Sequence, residues 1–310
     1  MTEKTQTLLA PDAAVDLHLH TFASDGRWTH EALVDYLTER QFTVAAIADH
    51  DTMHSVPGVT QLARERGITI VPAVEMTTRW NGRQVHLLVY GVDVADPRSE
   101  PFRKVLQRQQ DQLAETAERM LGLLARHARH TPSLREIAGD LPLTPHRVFS
   151  AMIRDGHANG LQQAHNILRS MGEPVVVDVP LDETVDAAHA ARALTIVAHP
   201  GRDEGAGILD AAKLDELYAE IPIDGVEAHY RSYKDADVQR YRAWAEQNGL
   251  LVSAGSDSHW PSFPVNPTPH PARWIAGLLA RLGQPVAPWE GPAWEPDPPG
   301  AASDAPPDAS

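Results

Sequence analysis

Seven short apolar runs constrain what this 310-residue chain can fold into: 15–19, 44–48, 68–74, 85–90, 194–198, 225–228 and 250–254. Each is followed by turn residues and a stretch of helical period, the signature of repeated βα units. Residues 29–40 carry an apolar stripe at Leu33, Tyr36 and Leu37, and Pro57 suits the first turn of a helix ending at Gly67. Between Phe102 and Gly172 no strand-like run appears, while Leu106, Leu113, Met120, Leu121 and Leu124 recur at helical spacing. That segment reads as a small helical insertion, cut by Pro142 and Pro145 into pieces at 147–155 and 161–171. From Gln284 onward Pro, Ala, Gly and Asp dominate. Such a tail has too little apolar bulk to offset its ordering entropy and is expected to be disordered.

Composition narrows the chemistry. With 42% hydrophobic and 22% charged residues and a mean hydropathy of -0.33, the chain sits in the soluble globular range. No apolar run nears the roughly 18 residues of a spanning helix, and residues 1–14 lack an apolar leader core, so a cytoplasmic location is expected. Cysteine is absent, which excludes disulfides, thiolate metal sites, Fe–S clusters and cysteine nucleophiles. The formal charge of -15 argues against sequence-blind nucleic-acid binding, which rests on Lys and Arg neutralising phosphates. Part of that charge lies in the tail (Glu290, Glu295, Asp297, Asp304, Asp308), but the body stays acidic.

The sequence Asp16-Leu17-His18-Leu19-His20 places two imidazoles on one face of a strand, because side chains alternate with period two. Alone the pair is a weak sign; repetition gives it weight. Asp25 follows the first run, His50 the second and Glu75 the third; His86 stands on the fourth, His199 follows the fifth, and Asp257 and His259 follow the last. In a parallel barrel the strand ends of one polarity meet at one mouth, so these nine side chains would converge. Asp25-Gly26 or Asp257-Ser258 taken singly is explained by turn formation, but coincidence at so many strand ends is not. Nine such donors exceed one tetrahedral ion, and two or three ions are expected.

These residues resemble, in order, the motifs of PHP (polymerase and histidinol phosphatase) domain proteins. They are His18-Leu19-His20, Ser24-Asp25-Gly26, Ala48-Asp49-His50-Asp51-Thr52, Glu75, Val85-His86, Ala198-His199-Pro200-Gly201-Arg202 and Gly255-Ser256-Asp257-Ser258-His259. The match runs from about Val15 to the region of Arg281 and most resembles stand-alone bacterial enzymes with a helical insertion. Those act on 3′,5′-nucleoside bisphosphates or trim short RNA from its 5′ end. The resemblance implies an α/β fold, a distorted (β/α)7 PHP barrel of residues 15–101 and 173–283. Outside it lie an N-terminal extension (1–14), the insertion as a cap (102–172) and the tail (284–310).

The resemblance also implies a trinuclear site. His18, His20, Glu75 and Asp257 would hold the first ion, Glu75, His86 and His199 the second, and Asp25, His50 and His259 the third. Glu75 would bridge, as a carboxylate can give one oxygen to each of two ions and an imidazole cannot. Mixed His and carboxylate sets suit manganese, iron or zinc. Arg202 matches a substrate-facing position and is expected to clamp phosphate. His229, closing the sixth run, is expected to protonate the leaving oxygen or contact phosphate, and Asp16, Asp49 and Asp51 to orient ligand imidazoles. Two departures stand out. Thr144-Pro145-His146 replaces Arg-Pro-His, leaving His146 and Arg147 as candidate substrate contacts, with Arg147 displaced by about 100° on a helix. Asp257-Ser258-His259 replaces Asp-Phe-His, keeping both ligands and losing a packing or stacking group. His127, His130, His157, His165, His189 and His270 receive no function.

The expected activity is metal-dependent hydrolysis of a phosphate monoester of a nucleotide-like substrate, a 3′,5′-bisphosphate or the 5′ end of short RNA, by a metal-bridging hydroxide. The expected partner is thus a small phosphorylated molecule or short oligonucleotide, with no membrane and no protein partner. A phosphatase on a sugar or amino-alcohol phosphate is the alternative. An amidohydrolase bridged by a carbamylated lysine is disfavoured, because none of Lys4, Lys104, Lys213 and Lys234 ends a barrel strand. A non-catalytic metal-binding module should have lost ligands, yet all nine positions are filled.

Overall fold

The computed structural model describes residues 8–172, 178–262 and 265–296. It divides into two compact units, Met1–Phe102 with Pro180–Ser310, and Arg103–Val179. The ends of the N-terminal extension (1–7) and of the tail (297–310), and residues 173–177, lie outside the described residues. Among the described residues no helix is long and apolar enough to cross a membrane.

The first unit is a nearly closed seven-stranded barrel. Its strands are β1 (Ala14–Leu19), β2 (Phe42–Ile47), β3 (Thr69–Trp80), β4 (Arg83–Tyr90), β5 (Leu194–Val197), β6 (Gly225–Tyr230) and β7 (Leu251–Gly255). They neighbour one another in chain order, and β8 (His270–Pro271) adds antiparallel to the outer edge of β1. A bridge from Leu19 to Ser258 and the bond from His20 N–H to Ser258 O (3.0 Å) bring the ends of β1 and β7 together. That approach needs Gly255, where a Cβ would fall 2.2 Å from His18 Cβ.

The barrel is not wholly parallel, contrary to the uniform βα expectation. β4 runs antiparallel to both β3 and β5, because β3 turns back at Asn81-Gly82 without a helix. Reversal of β4 puts its N-terminal half, with His86, beside the C-terminal end of β3, where Thr77 pairs with His86, two residues beyond the pair of Glu75 with Leu88. His86 thus reaches the mouth from the start of its strand and Glu75 from the middle of a twelve-residue one.

The helices form where sequence period and caps agree. α1 (His30–Glu39) starts at Thr29, whose hydroxyl accepts from Ala32 N–H, and buries Leu33, Val34 and Leu37. α2 (Val56–Glu65) has Pro57 in its first turn and is followed by Gly67 at φ 74°. Both pack with Leu19, Ala45, Ile47 and Ile70 outside the sheet, while Val15, Leu17, Val44, Ala46, Val71, Ala73, Leu88 and Ile196 fill the inside. The register slip between Asp16 and Leu19 produces this switch of face along β1. Early tail residues pair with the extension: Leu9 N–H donates to Pro285 O and Ala287 N–H to Leu9 O.

The second unit is helical: most of α3 (Glu100–Arg126), then α4 (Leu134–Ala138), α5 (Pro145–Arg154) and α6 (Leu161–Ser170). Met120, Leu124, Val148, Phe149, Met152 and Leu168 form its core. Thr144, in the place of the resembled arginine, is the N-cap of α5.

Candidate metal centre and active site

The nine candidate ligands cluster together, with Glu75, which is fully buried, at the centre. Its two oxygens face different neighbours. Oε2 lies 3.0 Å from His18 Nε2, 3.1 Å from His20 Nε2 and 3.4 Å from His50 Nδ1; Oε1 lies 3.1 Å from His86 Nδ1 and 3.0 Å from His199 Nε2. Asp257 Oδ1 stands 3.0 Å from His20 Nε2 and 3.3 Å from His259 Nδ1, and Asp25 Oδ2 stands 3.2 Å from His259 Nε2. Four overlapping groups could each hold a cation: His18, His20, Glu75 and Asp257; His20, Asp25, His50 and His259; His50, Glu75 and His86; and His86, His199 and Glu204. The first equals the set inferred from the motifs. The second adds His20 to the inferred third set, and the inferred second set is divided between the last two.

Burial is graded. His18, His20 and Glu75 are wholly enclosed, whereas the side chains of Asp25, His50, His86 and His259 are 24%, 21%, 19% and 16% exposed. An inner set is therefore roofed by one a substrate can reach. His199 and Asp257 hold positive φ values of 27° and 51°, conformations costly for non-glycine residues and typical of functional sites.

Two glutamates not anticipated from the sequence fix the imidazoles. Buried Glu227, on β6, meets His18 Nδ1 with Oε1 (3.0 Å) and accepts from the backbone N–H of His199 with Oε2 (2.8 Å). Glu204 Oε1 lies 2.9 Å from His199 Nδ1. Each turns the other ring nitrogen toward Glu75. Asp16, Asp49 and Asp51 meet other partners. Asp16 accepts from the backbone N–H groups of His18, Ser256 and Thr268; Asp49 from Thr21 N–H and the Thr21 and Ser24 hydroxyls; and Asp51 from Thr77 N–H. These carboxylates brace the loops that carry the ligands.

The site's electrostatics favour a cation. Burial pushes the carboxyls of Glu75, Asp25 and Asp257 up, but the surrounding imidazoles outweigh it and hold all three well below the usual carboxylate range. Burial alone would lower His20, yet Asp257 and Glu75 raise it to about 10; Glu204 and Glu75 likewise raise His199 to about 9. His50, where burial wins, falls to about 4. Without another cation, the carboxylates retain protons on the imidazoles. Both His20 ring nitrogens, His50 Nδ1, Asp25 Oδ1 and Asp257 Oδ1 are buried without a well-formed hydrogen bond. Orphaned donors of this kind converging on one point fit a bound divalent ion.

Arg202 stands at the same place. Its Nη1 donates to the Tyr230 hydroxyl (2.8 Å) and Asp257 Oδ2 (3.1 Å), and its Nη2 lies 3.1 Å from Glu204 Oε2. Tyr230 itself donates to Asp257 Oδ2 at 3.0 Å. His229 does not join them. The β6–β7 register slips between Glu227 and His229, and the extra residue turns His229 to the outer face. There it stacks on Trp274 at a centroid distance of 4.5 Å and accepts at Nε2 from Arg242 Nη1 (2.7 Å). It is a packed, neutral imidazole, and the expected acid role is corrected accordingly. In the second unit, Arg147 is buried and donates to Pro142 O (2.9 Å) and the Thr144 hydroxyl (3.3 Å), while His146 Nε2 lies 3.3 Å from Ser150 Oγ. The guanidinium of Arg147 ties a turn within this unit.

Residues 16–136 match the PHP domain family model. The chain is 27% identical to the 5′-3′ exoribonuclease Rnm of Salmonella typhimurium over 79% of its own length and 85% of the relative's. It is 25% identical to the 3′,5′-nucleoside bisphosphate phosphatase of Chromobacterium violaceum, covering 80% of this chain and 88% of that one. In fold it is similar to a Bifidobacterium adolescentis structure described as a metal-dependent phosphoesterase, with a TM-score of 0.70, 23% identity, and coverage of 88% of this chain and 97% of that one. Over residues 16–136 the chain is similar to the PHP domain, and it is a metal-dependent hydrolase of phosphoric esters, resembling the bisphosphate phosphatase and exoribonuclease group.

Proposed function

We propose that this centre binds two or three divalent ions, of manganese, iron or zinc, and that the chain removes phosphate from a nucleotide-like monoester. The substrate is a nucleoside 3′,5′-bisphosphate or the 5′ end of a short RNA, the classes named for the two curated relatives. The observation that carries this reading is the division of Glu75, with three imidazoles on one oxygen and two on the other. His18, His20, Glu75 and Asp257, which form one group, would hold one ion; by motif order Glu75, His86 and His199 would hold a second and Asp25, His50 and His259 a third.

Bound ions of this kind neutralise phosphoryl oxygens and lower the pKa of water. The protein's own groups do the rest. Glu227 and Glu204 hold His18 and His199 in fixed orientation, so little reorganisation is left for the moment of reaction. Arg202, one-third exposed and braced by Tyr230, Asp257 and Glu204, presents a planar guanidinium suited to a phosphoryl group.

The test is a screen of phosphomonoesters, nucleoside bisphosphates and 5′-labelled oligonucleotides with manganese present. Release of phosphate or of 5′-terminal nucleotides, abolished by chelation, is expected. Turnover of sugar phosphates in preference to every nucleotide would overturn the substrate class, and no hydrolysis of any phosphoester after metal reconstitution would overturn the activity.

A further inference from the structure

We propose that Trp260 is a stacking platform for the base of the substrate, a specificity determinant that rests on the phosphoesterase reading above. Trp260 directly follows His259, and its ring lies 6.0 Å from that imidazole in edge-on geometry. His259 in turn stacks on His20 at 4.1 Å, so the indole borders the ligand cluster itself.

Its environment differs from that of the other tryptophan on this rim. Trp28 is buried and donates its indole N–H to Ser258 Oγ (2.9 Å), which fixes the loop carrying Asp25 to the loop carrying His259. Trp260 is 44% exposed, and its indole makes no hydrogen bond among the described residues. Its backbone carbonyl accepts from Ser262 N–H at 2.8 Å. The fold therefore holds the main chain of this residue while leaving a large apolar ring facing water beside a polar, phosphate-attracting centre. An aromatic face next to a phosphate site is the arrangement that recognises a nucleotide, since every base offers a π-face and stacking tolerates any of the four. Ser258 is consistent with this division of labour: the position that carries an aromatic ring in the resembled motif here anchors Trp28, and the free aromatic surface lies two residues on.

The experiment compares kcat/KM for adenosine 3′,5′-bisphosphate and for glycerol 1-phosphate, which has no π-face, in the native protein, Trp260→Ala and Trp260→Phe, all loaded with manganese. The ratio of nucleotide to glycerol phosphate should fall about 5- to 150-fold in Trp260→Ala, the worth of one base on one ring, mainly through KM. Trp260→Phe should restore most of it. An equal loss on both substrates would mean that the indole merely supports the His259 loop, and an unchanged ratio would mean that the base lies elsewhere; either overturns the platform while leaving the phosphoesterase standing. Failure of the native protein to hydrolyse either ester or the 5′ end of an oligonucleotide would overturn both readings together.

Discussion

Replacing Glu227 with glutamine changes one oxygen to an amide and removes a charge while keeping the side chain's size. In the structure both oxygens serve as acceptors, Oε1 for His18 Nδ1–H and Oε2 for the backbone N–H of His199. A glutamine can satisfy only one of them. If its amide nitrogen faces His199, two donors collide; if it faces His18, the imidazole must move its proton to Nε2, the nitrogen directed at Glu75. Because Glu227 is fully buried, no water can make good the loss. An unsatisfied buried donor costs about 1–3 kcal/mol, and loss of an outer partner of a ligating histidine typically costs about 10- to 100-fold in metal affinity. Calorimetric titration of the chelator-treated protein with Mn2+ should therefore show at least a tenfold weaker first ion in Glu227→Gln, with far-UV dichroism unchanged. Native affinity in this variant would refute the claim that Glu227 sets the tautomer of His18.

Glu75→Ala should lower kcat/KM more than His259→Ala, since it removes the carboxylate shared by five imidazoles, whereas His259 is one imidazole beside the carboxylates of Asp25 and Asp257; equal losses in a phosphatase assay would contradict this. Stability should decline on the acid side. Burial, with His270 and Arg242 nearby, holds His229 at about 2, and burial holds His270 at about 4, so both stay neutral in the fold while the unfolded chain protonates near 6.5. Their contribution is complete above that value and is lost as pH falls below it, about 2 kcal/mol per residue by pH 5. Thermal melts should show a shallower acid decline for His229→Gln, which can still accept from Arg242. Thr144→Ala should cost about 1 kcal/mol in urea unfolding through loss of the α5 cap, and so should Thr144→Arg, whatever its effect on substrate.

The ligand motifs were legible because each sits on or just beyond an apolar run, where residue type and strand period speak together. His18 and His20 share a face by alternation alone. What the sequence hid were events that alternation does not record. The extra residue in β6 carries no glycine or proline to announce it; it leaves Glu227 and Tyr230 facing the centre and sends His229 to Trp274. The reversal of β4 could have been suspected from Asn81-Gly82, a turn pair too close to the next run for a helix between them. Glu204 lies in a loop six residues beyond the fifth run, where no periodicity applies. Asp16, Asp49 and Asp51 flank ligands in the chain, yet their oxygens meet backbone amides, a choice set by tertiary geometry.

The most direct test of the account is the metal content of the chain. Protein purified without chelator and reconstituted with manganese, then freed of excess metal and measured by elemental mass spectrometry, should retain at least two equivalents per chain, as the division of Glu75 between two groups of imidazoles requires. Retention of less than one equivalent of any transition metal would contradict the account at its centre.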